Sequence, residues 1–184
     1  MKYAGRLLVA PPLATGKDRA HSVIYIYDET ENSAVGITLT KLANRDVKHL
    51  AKHCGASYSG DDNIHIGGPL HPSALIMLHT SEWKCSNTME VPGGFSISSD
   101  KSMIQRICDG DAPYNWRLFF GTNVWNPIQL DRERAAVPPN PKRNSWLVAS
   151  AAEEVIFQTD PKMIWEMALE RAIKETAKSI LAVK

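Results

Sequence analysis

Along the chain, apolar residues arrive in short blocks separated by glycine, proline and polar clusters, and most blocks alternate with a period of two. GRLLVAPP, from Gly5, predicts a buried strand stopped by prolines. In HSVIYIYDE, Val23, Tyr25 and Tyr27 share one face and Ile24 and Ile26 the other. Both faces are apolar or aromatic, as in a central strand. TENS is a turn, and AVGITLTKL completes a hairpin. IHIGG and ALIMLHT predict strands on either side of a turn at Gly67-Gly68-Pro69. FSISS, RLFFGTNVW, QLDRER, SWLVAS and EVIFQTD predict five more, and WKCSNTMEVPGG reads as an irregular loop.

Three stretches switch to the helical period. Val47, Leu50, Ala51 and Cys54 fall at i, i+3, i+4 and i+7, with Asn44 as the expected N-cap and Gly55 as the stop. Met103, Ile104, Ile107 and Cys108 form a second inward face, capped by Ser99 or Asp100 and ended by Gly110. Asp160-Pro161 is a cap followed by proline at the first helical position, and it opens a C-terminal helix, or two, through Ile164, Met167, Ala168 and Arg171. Strands outnumber helices without regular βαβ alternation. The expected class is therefore α+β, a single domain over residues 1–184 with a Pro-rich loop at about 135–143.

Composition narrows the function classes. Hydrophobic residues make up 43% and charged residues 22%, which suits an ordinary folded core. A net charge of +1 supplies no global field for nucleic acid or an anionic membrane. The apolar runs fall far short of the roughly 20 residues of a membrane span. Pro11-Pro12 breaks the N-terminal apolar block, so a first strand is expected there and not a signal peptide. Cys54, Cys85 and Cys108 are odd in number and form no CxxC, which points to a reducing, cytoplasmic setting.

GRLLVAPP, HSVIYIYDETENSAVGITLTK, GGPLHPSALIMLH, GTNVWNPIQLDRE, NSWL and VIFQTDPKMIWEMAL occur here in the order and spacing of the YqgE/AlgH family, which this chain resembles from about Gly5 to Leu169. The resemblance implies a compact α+β domain of bacterial cytoplasm with a mixed, partly barrel-like sheet, short flanking helices and a C-terminal helix. Members carry the label of transcriptional regulators, with no established reaction. The chain departs from the pattern at Ser33 and Ile128, where the family has glycine, and at Thr40, where it has asparagine. Its Gly-aromatic-small-Gly-Trp motif appears as Gly121-Thr122-Asn123-Val124-Trp125, without the second glycine. The chain is therefore expected to be a divergent member. The resemblance implies binding roles for Gly67, Gly68, Pro69, Trp125, Gln129, Asp131 and Glu133.

Read from the residues alone, these positions are mostly structural. An anion cradle needs successive inward N–H groups, usually backed by a lysine or a helix N-terminus. Pro69 has no N–H, no Lys or Arg lies nearby in sequence, and a strand follows. The two glycines are expected to serve a positive φ or a bulge, with Pro69 fixing the turn. TGKD lacks the rest of a P-loop. Asp131 and Glu133, two apart on QLDRER, would share a strand face, either as paired carboxylates or as the charged rim of an edge strand. The edge strand is the favoured reading.

His65 and His79 flank the turn together with His71, and His49 and His53 lie i, i+4 on a helix beside Lys48 and Lys52. A solvated helix face and ordinary polar strand residues explain them better than metal ligation. Cys54 and Cys108 are expected to be inert core, and Cys85, beside Lys84, a loop thiol. Trp125, Trp146 and Trp165 are expected in the core, and Trp83 and Trp116 partly exposed. The one basic cluster, Lys142-Arg143, sits in the Pro-rich loop, which argues against direct DNA readout. No catalytic residue, metal or cofactor is assigned. The leading expectation is a non-catalytic regulatory or binding protein acting through a protein or small ligand, with self-association open. The alternative is a small-molecule or anion-binding enzyme using the Asp131/Glu133 face and the Gly67-Gly68 turn.

Overall fold

A computed structural model describes residues 2–137, 145–157 and 160–182. Its elements, in chain order, are β1 (Arg6–Val9), β2 (Val23–Glu29), β3 (Ala34–Thr38), β4 (Leu42–Asp46), α1 (Val47–His53), β5 (Asn63–Ile66), β6 (Leu70–Thr80), β7 (Met89–Val91), β8 (Phe95–Ser98), α2 (Met103–Cys108), β9 (Trp116–Trp125), α3 (Pro127–Arg134), β10 (Leu147–Ser150), α4 (Glu153–Ile156) and α5 (Pro161–Leu181). The strands run β10-β1-β2-β3-β9-β6-β8-β7, with β5 inserted beside β9 and β4 on β5. All pairings are antiparallel except β5 with β9. The sheet curls into a half-barrel, so the class is α+β with a mixed sheet, as expected.

β9 is the hub. Its first half pairs with β5 on one side, its second half with β3, and β6 runs along the other side. Leu118 and Phe119, at its centre, are fully buried. β2 is the central strand that its two apolar faces predict. Val23 and Tyr25 join Leu7, Ile37 and Phe119 beneath the Ile164, Ala168 and Ala172 face of α5. Ile24 and Ile26 point the other way, toward Leu130 of α3, Trp125 and Trp146. A third cluster packs α1 and α2 on Ile64, Met77 and Leu118.

Several elements differ from expectation. QLDRER is not an edge strand; it forms most of α3, because Asn126 accepts from the Ile128 N–H at 2.9 Å and Pro127 takes the first helical position. EVIFQTD is not a strand either: Glu153–Ile156 form the short α4, and residues 158 and 159 lie outside the described residues. Asn44 lies in β4, and the N-cap of α1 is Asp46, which accepts from the His49 N–H at 2.7 Å. α2 starts later than the Ser99 or Asp100 cap implies; its N-cap position is Ser102. β7 lies within the predicted loop. Cys54 is exposed rather than core, and Trp83 is 6% exposed, its indole N–H donating to Asp111 at 2.9 Å. The tail is one helix, α5, with Asp160 as its cap and Pro161 at its start. The Pro-rich loop falls largely on residues 138–144, outside the described residues. Among the described residues, no helix is long and apolar enough to cross a membrane.

Candidate functional site

The Gly67-Gly68 turn is built by close backbone approach. Neither glycine has a positive φ, contrary to that part of the expectation, and the register shift of β6 falls beyond them, between Leu70 and Leu75. A Cβ on Gly68 would overlap the Thr122 carbonyl and come within 2.6 Å of the Asn123 nitrogen. Gly121 is the reciprocal partner, its φ of 74° and its contact with the Gly68 carbonyl both excluding a side chain. The Gly67 N–H donates to the Phe120 carbonyl at 2.7 Å, and the Gly67 carbonyl accepts from the Thr38 N–H and from Asn123 Nδ2. With that N–H committed to the fold and no N–H on Pro69, the turn is not an anion cradle.

The turn does, however, form one rim of a cleft of about 380 Å3. Ile66, Gly68 and Pro69 line it, together with Asn123 and Trp125 of β9. Glu133 of α3, Trp146, Arg19 and Lys41 also line it, and the Lys41 carbonyl accepts from the Ile66 N–H at 2.8 Å. Arg19 comes from the loop after β1. Its guanidinium lies over the Trp146 ring, 4.1 Å from the centroid, and Nη1 donates to Glu133 at 3.2 Å. Burial lowers the Arg19 pKa from its ordinary value, with Glu133 opposing that shift. Glu133 also accepts from the Trp146 indole at 3.1 Å and from Gln129 at 3.0 Å. Lys41 pairs with Asp18 at the solvent edge.

The predicted site residues therefore divide. Gly68, Pro69, Trp125 and Glu133 line the cleft, and Gly67 and Gln129 hydrogen-bond to the lining residues Asn123 and Glu133. Asp131 does not belong to it. On a helix, residues two apart point in different directions, and Asp131 binds Lys2 at 2.6 Å and the Tyr3 hydroxyl at 2.5 Å. Those hydrogen bonds lower its pKa. The paired-carboxylate face is thus absent. Arg19, Lys41, Thr38 and Trp146 are among the lining residues that motif reasoning missed; Arg19 lies in the TGKDR stretch, which local sequence marks only as a failed P-loop.

Of the three histidines at the turn, His71 is exposed, while His65 and His79 are buried. His65 is 3% exposed, with Nε2 at 3.2 Å from Arg117 Nη1, and His79 is fully buried between Ser98 and the Thr80 carbonyl. They do not pair with each other. Burial, and secondarily Arg117, push the His65 pKa down from 6.5 to about 4. A histidine with a depressed folded pKa stabilises the protein above its unfolded pKa, and that contribution is lost as pH falls toward the folded value. Stability should drop by on the order of 2 kcal/mol between pH 7.5 and pH 5 from this group alone. Urea unfolding of the wild type and His65→Gln at both pH values checks this; equal pH slopes would contradict it.

Comparisons with known proteins agree on the architecture. A family model described as AlgH-like matches residues 7–177. A UPF0301 protein of Methylococcus capsulatus is 31% identical over 172 residues, covering 92% of this chain and 91% of the relative. One from Marinomonas is 29% identical over 165 residues, covering 88% and 84%. Among solved structures, the AlgH protein of Pseudomonas aeruginosa superposes with a TM-score of 0.72 at 22% identity, covering 91% of this chain and 87% of that one. A protein of Corynebacterium diphtheriae gives 0.71 at 22% identity, covering 93% and 87%. At that identity the likeness concerns the fold.

Proposed function

The chain belongs to the AlgH-like family, and we propose that it is a non-catalytic binding protein whose cleft takes a small ligand and whose regulatory effect passes through a protein partner. One observation carries this reading. Segments far apart in sequence, the loop after β1, the Gly68 turn, the end of β9 and α3, converge on one cleft of a size typical of small-molecule sites. The enzyme alternative needs the Asp131/Glu133 pair, and the two carboxylates face different surroundings. Glu133, the one left in the cleft, is held by Arg19, Trp146 and Gln129. Such a carboxylate orients neighbours better than it moves protons. Direct DNA readout finds no support: α1 to α4 are short, each with a buried face, and α5 lies against the sheet. Three free cysteines suit a cytoplasmic setting. Association of like chains is compatible with this reading.

Thermal-shift screening of a metabolite library tests it, with Ile66→Trp as a variant that fills the cleft. Ile66 is 44% exposed, so the larger ring is accommodated without disturbing the core. We expect saturable stabilisation of the wild type by at least one compound, and at least tenfold weaker binding to Ile66→Trp. Hits that bind both proteins equally, or no hit at all, would sink the cleft as the site.

A further inference from the structure

We propose that the outward face of α5 is a self-association surface, on which a second copy of this chain docks with its own α5 antiparallel to the first. The inference is independent of the cleft and of what the cleft binds.

α5 carries two apolar faces. Ile164, Ala168 and Ala172 are buried in the core with residues of β1, β2, β10 and α4. Met163, Ile173, Ile180 and Leu181 point away from that core and are 48%, 57%, 69% and 68% exposed. At 100° per residue, these four and Ala177 fall within an arc of about 100°, the width of an amphipathic stripe. Every residue from Thr176 to Ala182 is exposed, so Ile180 and Leu181 stand in solvent on the part of the helix that has left the core. A continuous apolar stripe of this kind marks an interaction surface.

Charge selects the occupant. Glu166, Glu170, Lys174 and Lys178 recur every four residues along the stripe, and all four are exposed. The order acid, acid, base, base complements itself when a second helix runs the opposite way. With a two-fold axis at the level of Ala172, Glu166 lies level with the partner's Lys178 and Glu170 with the partner's Lys174. The same register sets Met163 level with the partner's Leu181 and brings the two copies of Ile173 together near the axis. A parallel pair would set glutamate against glutamate. Glu170 already pairs with Lys174 of its own helix at 2.5 Å, but the side chains are 64% and 66% exposed, so sharing them with a partner costs little. An anionic membrane fits less well, because it would meet the two glutamates along with the two lysines. One helix pair buries less than the roughly 1,200 Å2 of a standard interface, so the dimer is expected to be weak, with a dissociation constant on the order of 10–100 µM.

Sedimentation velocity of the full chain from about 10 µM to about 1 mM tests this. The wild type should pass from monomer to dimer across that range. Glu166→Lys/Glu170→Lys and Lys174→Glu/Lys178→Glu each leave a row of one sign, and each should weaken self-association at least tenfold. An equimolar mixture of the two variants should form the dimer again. Ile173→Glu, which brings two carboxylates together near the axis, should also weaken it at least tenfold. A wild type that stays monomeric overturns the proposal, including one that floats with phosphatidylserine vesicles. A dimer whose affinity none of these changes alters, or a mixture that restores nothing, overturns it as well. If the charge variants lose helix by circular dichroism, aerobic cross-linking decides, with the bridge located by mass spectrometry. A disulfide should form between copies of Ile173→Cys and not between copies of Ile180→Cys, whose positions lie about 24 Å apart along the helices. The reverse pattern overturns the antiparallel arrangement.

Discussion

Replacing Gly68 by alanine is expected to destabilise the protein by on the order of 3 kcal/mol, near the upper end of what overpacking costs. The reason is the identity of the obstructing atoms. A Cβ at this position meets the Thr122 carbonyl and the Asn123 nitrogen, which are backbone and cannot rotate aside as a side chain tip would. The Asn123 side chain also holds Gly67 and Thr38 through Nδ2, at 2.6 Å and 3.0 Å, so the strand cannot recede without loosening both. Urea unfolding reads the effect as a lower midpoint, with the slope reporting whether the unfolding stays two-state. A loss below about 1 kcal/mol would mean that the β6–β9 junction yields more than close packing allows.

Glu133→Ala should cost about 3 kcal/mol, because it removes the partner of a charge that stays in the fold. Arg19 would retain no acceptor, and the Trp146 indole N–H would lose its own. Glu133→Gln keeps an acceptor for the indole while removing the charge, and it is expected to lose roughly half as much. Equilibrium unfolding of the two variants separates the contributions. An alanine variant within about 0.5 kcal/mol of the wild type, the range of ordinary surface changes, would show that Glu133 does not hold Arg19 in place.

What the sequence made legible follows the range of the forces involved. The two-faced β2, the inward face of α2 and the Asp160-Pro161 helix start depend on residues within one or two turns of each other, and the pattern is written locally. α3 was equally local, since Asn126-Pro127 is the same cap-and-proline signal as Asp160-Pro161. The alternation Asp131-Arg132-Glu133-Arg134 masked it, because charge alternation imitates a strand while the cap decides the backbone. In α3 the relevant spacing is four: Gln129 reaches Glu133. The burial of His65 and His79 was not legible, because a polar residue in an apolar strand gives no sign of which surface it faces.

The cleft belongs to the other class. Arg19 and Glu133 are 114 residues apart, and Gly67 and Asn123 are 56 apart. No window of sequence contains either pair. The glycines of the turn announced an unusual backbone; that it was close approach to Thr122, rather than a left-handed φ, depends on β9, far downstream in the chain.

The position of β9 in the chain has a consequence for biosynthesis. β3, β5 and β6 all take it as a neighbour, yet it follows all three. A nascent chain emerging from the ribosome therefore carries most of its strands before the one that joins them. Until Trp125 is released, β3, β5 and β6 each present an unpaired edge, and unpaired edges invite contacts with other chains. The half-barrel must close late in synthesis. Chaperone protection matters most in the interval between exposure of β6 and arrival of β9.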